Sequence, residues 1–231
     1  MSEIFTFETI IFYVSSLLFW PSCYHVISKY NGKHEIVKNF VHLLHAILFV
    51  SLYRISDITI MNYPIILSLG FYTVDLCFIF HSLLVKHEKY SRHLPYIIHH
   101  IIANYGLLLA LTDYYREQII YFYYILEYSN FLLYINYHIR REYLNYRNLL
   151  LVIECFQFIW YTYFRIIRFL IYLYHVRNSF FNIYFPVQCM TIVLFGMGAY
   201  WSFNLFKKCL ISLKIDSNIV VQKNVLRDKV D

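Results

Sequence analysis

Seven stretches of this chain each run about 20 residues or more with few charged interruptions, and nothing else in the sequence restricts the fold as much. About 20 predominantly apolar residues carry a helix across a bilayer. Read on that scale, the stretches fall at roughly 4–27, 37–56, 63–85, 94–112, 115–139, 149–175 and 181–209. Pro64, Pro95 and Pro186 sit near the start of a stretch, where a missing backbone N–H costs little. Pro21 is expected to end or kink the first. Composition agrees: 60% of residues are hydrophobic and only 15% charged, against roughly 45–50% and 25% in soluble proteins. A soluble globule, a disordered chain, a fibre and a secreted disulfide scaffold are all excluded. The expected fold class is all-α, a polytopic membrane protein of about seven transmembrane helices.

Positive charge then sets the orientation. Lys29, Lys33 and Lys38 follow the first span; Lys86, Lys89 and Arg92 follow the third; Arg140, Arg141 and Arg147 follow the fifth. Lys207, Lys208, Lys214, Lys223, Arg227 and Lys229 follow the seventh. These fifteen cations share one side, and only Arg54, Arg116 and Arg177 lie on the other. Lys and Arg collect on the cytosolic side, so the N-terminus is expected in the lumen and the C-terminus in the cytosol. The acidic opening, with Glu3 and Glu8, lacks the basic start of a cleaved signal, so the first span is expected to remain. The net charge of +6 is thus a topology signal rather than a nucleic-acid footprint. The five cysteines show no C-x-x-C and no metal-ligand spacing.

The remaining two cations, Arg165 and Arg168, fall in mid-span, three residues apart and so on one helical face. Other spans repeat the anomaly: His42 and His45 in the second, Asp75 in the third, His99, His100 and Asn104 in the fourth, Glu127 and Asn130 in the fifth. A charge at helix centre costs at least ~2.5–3.5 kcal/mol on insertion scales, so such residues face the bundle interior and meet one another. His42 alone or Arg168 alone reads as an interhelical bond. The set Asp75, His99, His100 and Glu127 reads as a site, because apolar packing would serve structure at less cost. His25, His81, His87, His93, His138 and His175 lie near span ends and read as interfacial. The histidine spacing does not fit the boxes of membrane di-iron enzymes, and nothing in it demands zinc.

In order, these residues resemble the TLC domain, which is shared by translocon-associated membrane proteins and ceramide synthases. His45-Ala46 resembles the family's H-A pair. Ser68-Leu69-Gly70-Phe71-Tyr72-Thr73-Val74-Asp75 resembles its S-x-G-Y/F-x-x-x-D segment, and His99-His100 its paired histidines. Glu127-Tyr128-Ser129-Asn130-Phe131-Leu132 resembles the E-x-S-T/S-x-F/L segment of the non-synthase members, followed by Arg165 and Trp201. The resemblance covers about residues 37–210. It divides the chain into a first helix and cytosolic loop (1–36), a TLC-like domain of six helices (37–210) and a cytosolic tail (211–231). Ceramide synthases carry H-D-x-S-D where this chain reads Leu126-Glu127-Tyr128-Ser129-Asn130. Losing the second carboxylate places the chain nearer the non-synthase group.

The resemblance implies an endoplasmic-reticulum membrane, a helical barrel around a lipid-accessible cavity, and a role in sphingolipid or fatty-acyl metabolism. Two readings follow. In the first, His99 or His100 performs acyl transfer from acyl-CoA to a sphingoid base or another acceptor, oriented by Asp75 or Glu127. Arg165, Ser129, Asn130 and His45 then bind substrate. In the second, the same residues position a headgroup in a lipid sensor, carrier or cargo receptor without turnover. Membrane lipids are the expected partners, with a homodimer as an open arrangement; no nucleic acid, metal or bound cofactor is expected. A heptahelical receptor fits poorly, since no D-R-Y-like or N-P-x-x-Y signature is present.

Overall fold

Inside hydrocarbon a backbone must satisfy its own N–H and C=O groups, and a single helix does so residue by residue. The computed structural model describes residues 6–30, 33–55, 62–87, 89–112, 115–142, 147–180 and 184–227. Every regular element among them is helical. They are α1 (Phe7–Tyr30), α2 (His34–Ile55), α3 (Asn62–Val85), α4 (Tyr90–Leu111), α5 (Arg116–Glu142) and α6 (Arg147–Thr162). A π-helical turn, π1 (Tyr163–Arg168), runs on into α7 (Phe169–Phe180), and α8 (Phe185–Arg227) follows. Residues 4, 5, 56 and 181–183 of the expected spans lie outside the described part, as do residues 228–231 and the side chains of Arg92, Arg147, Lys214, Lys223 and Arg227.

Six helical segments are long and apolar enough to cross a membrane: Phe7–Tyr30, His34–Ile55, Asn62–Val85, His93–Leu111, Asn148–Asn178 and Phe185–Leu213. This is the pattern of a multi-pass membrane protein. At 27 residues α5 is long enough, but Glu127, Asn130, Asn136 and six tyrosines make it less apolar than the others. Its position explains this. It packs against α2, α4, α6 and π1, so much of its surface meets protein rather than lipid.

Three details refine the expectations. The α1 helix continues through Pro21, whose missing N–H leaves one carbonyl to be met otherwise; such breaks are tolerated where neighbouring groups take over. The first helix also packs on α2 and α3. It lies on α3 because Gly70 lets it approach: a Cβ there would stand 2.1 Å from Ser16 Oγ. Ser16 Oγ and Trp20 Nε1 both donate to the Leu67 carbonyl, at 3.1 and 3.0 Å. Finally, α8 shows no break at residue 210 and stays helical to Arg227, so 211–227 continues the last rod. The main core lies between α1 and α5, around Trp20, Phe49, Ile65, Phe71, Leu107 and Ile120. A smaller cluster of Phe122, Leu126, Phe169 and Leu194 joins α5, α7 and α8.

Candidate functional site

The bilayer penalty drives each intramembrane polar group inward, and the helices bring them into one connected layer. Asp75, on α3, is 1% exposed. Its Oδ2 faces His100 Nε2 of α4 at 2.8 Å. Its Oδ1 accepts from Tyr24 of α1 at 3.4 Å, and His42 Nε2 and Lys38 Nζ of α2 approach it at 3.3 and 3.4 Å. One carboxylate thus ties four helices together. Asp75 and His100 each lie ten residues from a helix end, which places them ~15 Å inside the bundle.

Glu127, on α5, forms a second centre. The Tyr72 hydroxyl donates to its Oε1, and His45 Nδ1 lies 3.6 Å from Oε2. The other His45 nitrogen meets Ser68 Oγ at 2.9 Å, and its ring stacks on Phe71 at 3.9 Å. The H-A and S-x-G segments, 23 residues apart, therefore meet side chain to side chain. The Tyr72 ring joins the centres, lying 5.3 Å from the rings of both His45 and His100 and 6.0 Å from His99.

The third centre is Arg165, 3% exposed and carried on π1. Its Nε donates to Ser129 Oγ at 2.7 Å. Its Nη2 donates to Asn130 Oδ1 at 3.0 Å and to the Leu126 carbonyl at 3.3 Å. A π turn closes i→i+5 bonds and often marks a functional position in an otherwise α-helical rod. It also alters the expected pairing of the two arginines. Arg168 stays half-buried, and no described hydrogen bond or ion pair joins it to the layer.

All eight site residues expected from sequence thus lie in this layer, and His99 and His100 diverge within it. His100 turns to Asp75, while His99 packs edge-on to Trp201 at 6.1 Å. Adjacent helical residues are ~100° apart, which enforces the split. His100 Nε2 donates to the carboxylate, which leaves Nδ1 as the ring's other polar atom. That Nδ1 is buried without a partner. Sequence reasoning missed Tyr24, Lys38 and Tyr72. Tyrosine is too common in this chain to stand out, and Lys38 looks like an ordinary loop cation until its side chain reaches inward.

A cavity of about 250 Å³ opens beside the layer, between α1, α3 and α4. Ile66, Leu69, Leu108 and Leu111 give it an apolar wall, with Thr73 and Asn104 at its polar margin. Asn104 follows His100 by four residues and so lies on the same face of α4. A second polar centre sits toward the other ends of α5, α6 and α8. There Asn136 bonds Gln157, and Glu154 meets Arg140 at 3.1 Å and Ser212 at 2.7 Å. Asn136, Arg140, Glu154 and Gln157 line a cavity of about 150 Å³. The reading from sequence passed over Glu154, although an acid inside the sixth span was signal enough. Among the described residues, no group of three or more His, Cys, Asp or Glu side chains is arranged to hold a metal ion. No family model, curated protein or solved structure matches this chain.

Proposed function

We propose that this chain is a TLC-type protein of the endoplasmic reticulum membrane that holds a lipid, its acyl chain in the α1–α3–α4 cavity and its polar end at the His100–Asp75 pair. One observation carries the reading. His100 is pinned through Nε2 to a buried carboxylate, keeps an unpartnered Nδ1, and stands one helical turn from the edge of an apolar cavity. A pair serving structure alone would have both nitrogens satisfied. The test is lipid recovered with the purified full chain from nanodiscs, for the unaltered protein and for Leu108→Trp, which fills the cavity. Loss of a defined lipid from the variant is the expected result. Identical lipid profiles would count against the cavity as its binding place.

The same pair supports acyl transfer as a second reading. A neutral imidazole oriented by a carboxylate takes a proton from an attacking amine or hydroxyl, and acyl-CoA is the donor that the resemblance implies. Radiolabelled acyl-CoA with sphingoid base and other acceptors distinguishes the two. Turnover that falls about 10²–10⁴-fold in His100→Ala identifies a positioned base. Lipid bound without product, across amines and alcohols, leaves a carrier or sensor. The seven-span layout with a lumenal N-terminus belongs to this proposal and rests on the fifteen-to-three division of cations. Terminal tags probed by protease before and after opening the membrane test it, and cytosolic exposure of both would overturn it.

A further inference from the structure

Arg165 is a cation near the middle of the bundle, yet its bonds go only to neutral acceptors: a hydroxyl, an amide oxygen and a backbone carbonyl. Among the described residues no carboxylate stands at ion-pair distance from it, because Asp75 and Glu127 are engaged by other partners. Its Nη1 is buried and meets nothing. Several other buried polar atoms share that condition, His100 Nδ1 among them, and two of these, the Tyr161 hydroxyl and His99 Nδ1, belong with Arg165.

The three lie on one series of neighbours. Tyr161, 1% exposed, precedes Arg165 by four residues, and the guanidinium carbon sits 5.2 Å from its ring centre. Arg165 lies against Gly198 of α8, where a Cβ would stand 3.4 Å from the Arg165 Cβ, and Trp201 of the same helix packs edge-on to His99. Trp201 stacks with Tyr96 of α4 at 6.2 Å. The series spans the α6–π1 rod, α8 and α4. Tyr96 is exposed on the flank of the bundle and Trp201 half-buried, so the aromatic side of the series faces lipid while its polar side faces Arg165.

We propose that Arg165, Tyr161 and His99 form a receptor for the oxyanion of an amphiphile, a carboxylate or a phosphate carried on a hydrocarbon tail, which enters between α4 and α8. This goes beyond the lipid-holding reading above, since it seats a polar end at Arg165 rather than at the His100–Asp75 pair, and it rests on the chain holding lipid. A guanidinium with two free N–H groups suits a carboxylate or phosphate oxygen, and a charge-assisted bond is the strong kind. The Tyr161 hydroxyl adds a donor, and His99 adds another when its proton sits on Nδ1. An ammonium headgroup has no place here, since it would meet an uncompensated cation. The aromatic wall accepts the first carbons of the tail.

The test uses the full chain in phosphatidylcholine nanodiscs, with radiolabelled oleate, phosphatidic acid, methyl oleate and inorganic phosphate as separate probes. Oleate or phosphatidic acid is expected to bind at least about tenfold more tightly than methyl oleate or inorganic phosphate. Whichever of the two binds more tightly names the source of the oxyanion. Tyr161→Phe should weaken that binding about threefold or more while leaving the unliganded protein as stable as before, because the lost hydroxyl had no partner. Asn130→Asp should abolish the preference for anions by placing a carboxylate on Arg165, and it avoids the folding risk of Arg165→Gln. Equal binding of oleate and methyl oleate would remove the receptor but leave the lipid-holding reading standing. Free phosphate binding as tightly as phosphatidic acid would overturn the amphiphile. If no lipid binds, both proposals fail together.

Discussion

Asp75 and Arg165 are both ionisable side chains sealed deep in the bundle, but one is enclosed on every side and the other keeps a nitrogen that nothing meets. Asp75 stands where α1, α2, α3 and α4 close around the larger apolar core, and four side chains from three of those helices converge on it. Arg165 stands where α8 and the π turn meet α4 and α5, beside a cluster of only four buried apolar residues. In the first region both carboxylate oxygens are met, and ring nitrogens such as His100 Nδ1 are left over. The second has spare hydrogen-bonding capacity in a place where spare capacity is costly. The contrast separates a carboxylate that ties four helices together from a cation that no carboxylate answers.

Substitutions on either side can break that comparison. The largest effect belongs to Asp75→Ala, which leaves Lys38, His42 and His100 facing one another without their anion. Removing one partner of a buried ion pair costs about 3–5 kcal/mol, to be read as lost folded protein in a detergent unfolding titration. A cost near zero would mean that Asp75 does not tie the helices together. Gly70→Ala should cost about 1–3 kcal/mol by forcing α1 off α3. Adding Ser16→Gly should recover part of it, since Ser16 Oγ and Cβ are the atoms in the way. A double-mutant cycle without coupling would rule out that close approach as the cause.

The smaller effects sharpen the contrast through two tyrosines of the same layer. Tyr72→Phe takes a donor from Glu127 and should lower stability by about 1–3 kcal/mol, the price of an unmet buried acceptor. Tyr161→Phe removes a hydroxyl that meets nothing and should fall within about 0.5 kcal/mol of the unaltered protein. Thermal unfolding of the two variants side by side measures the difference. Equal costs would show that the Tyr161 hydroxyl has a partner after all.

Several of these groups were legible one at a time. The helical rods follow the expected spans closely, from Phe7–Tyr30 to the start of α8 at Phe185, because an apolar window is a local property that needs no partner to be recognised. Asp75, His99, His100, Glu127 and Arg165 stood out because each breaks an apolar run. What escaped was every contribution from a residue that looks ordinary in its own window. Tyr24 and Tyr72 are two of 25 tyrosines, and Trp20 gives no sign that it will meet a carbonyl on α3. The π turn escaped as well: Tyr163 to Arg168 reads as plain helix, and its wider winding turns Arg165 inward while Arg168 stays half-buried.

The sequence alone determines that this chain forms apolar helices of membrane-spanning length, that most of its cations fall at the ends of those helices, and that a set of polar side chains interrupts their middles. Each is a sum over neighbouring residues, governed by the cost of placing a group in hydrocarbon. Only the tertiary structure decides that Asp75 answers His100 and Lys38, that Glu127 answers Tyr72 and His45, and that Arg165 answers no carboxylate. Those partners lie 25 to 82 residues apart along the chain in most cases and are selected by which helix faces which, through close approaches such as Gly70 against Ser16. A bilayer drives all of these groups inward without distinguishing among them; packing assigns each its partner, and leaves one cation waiting.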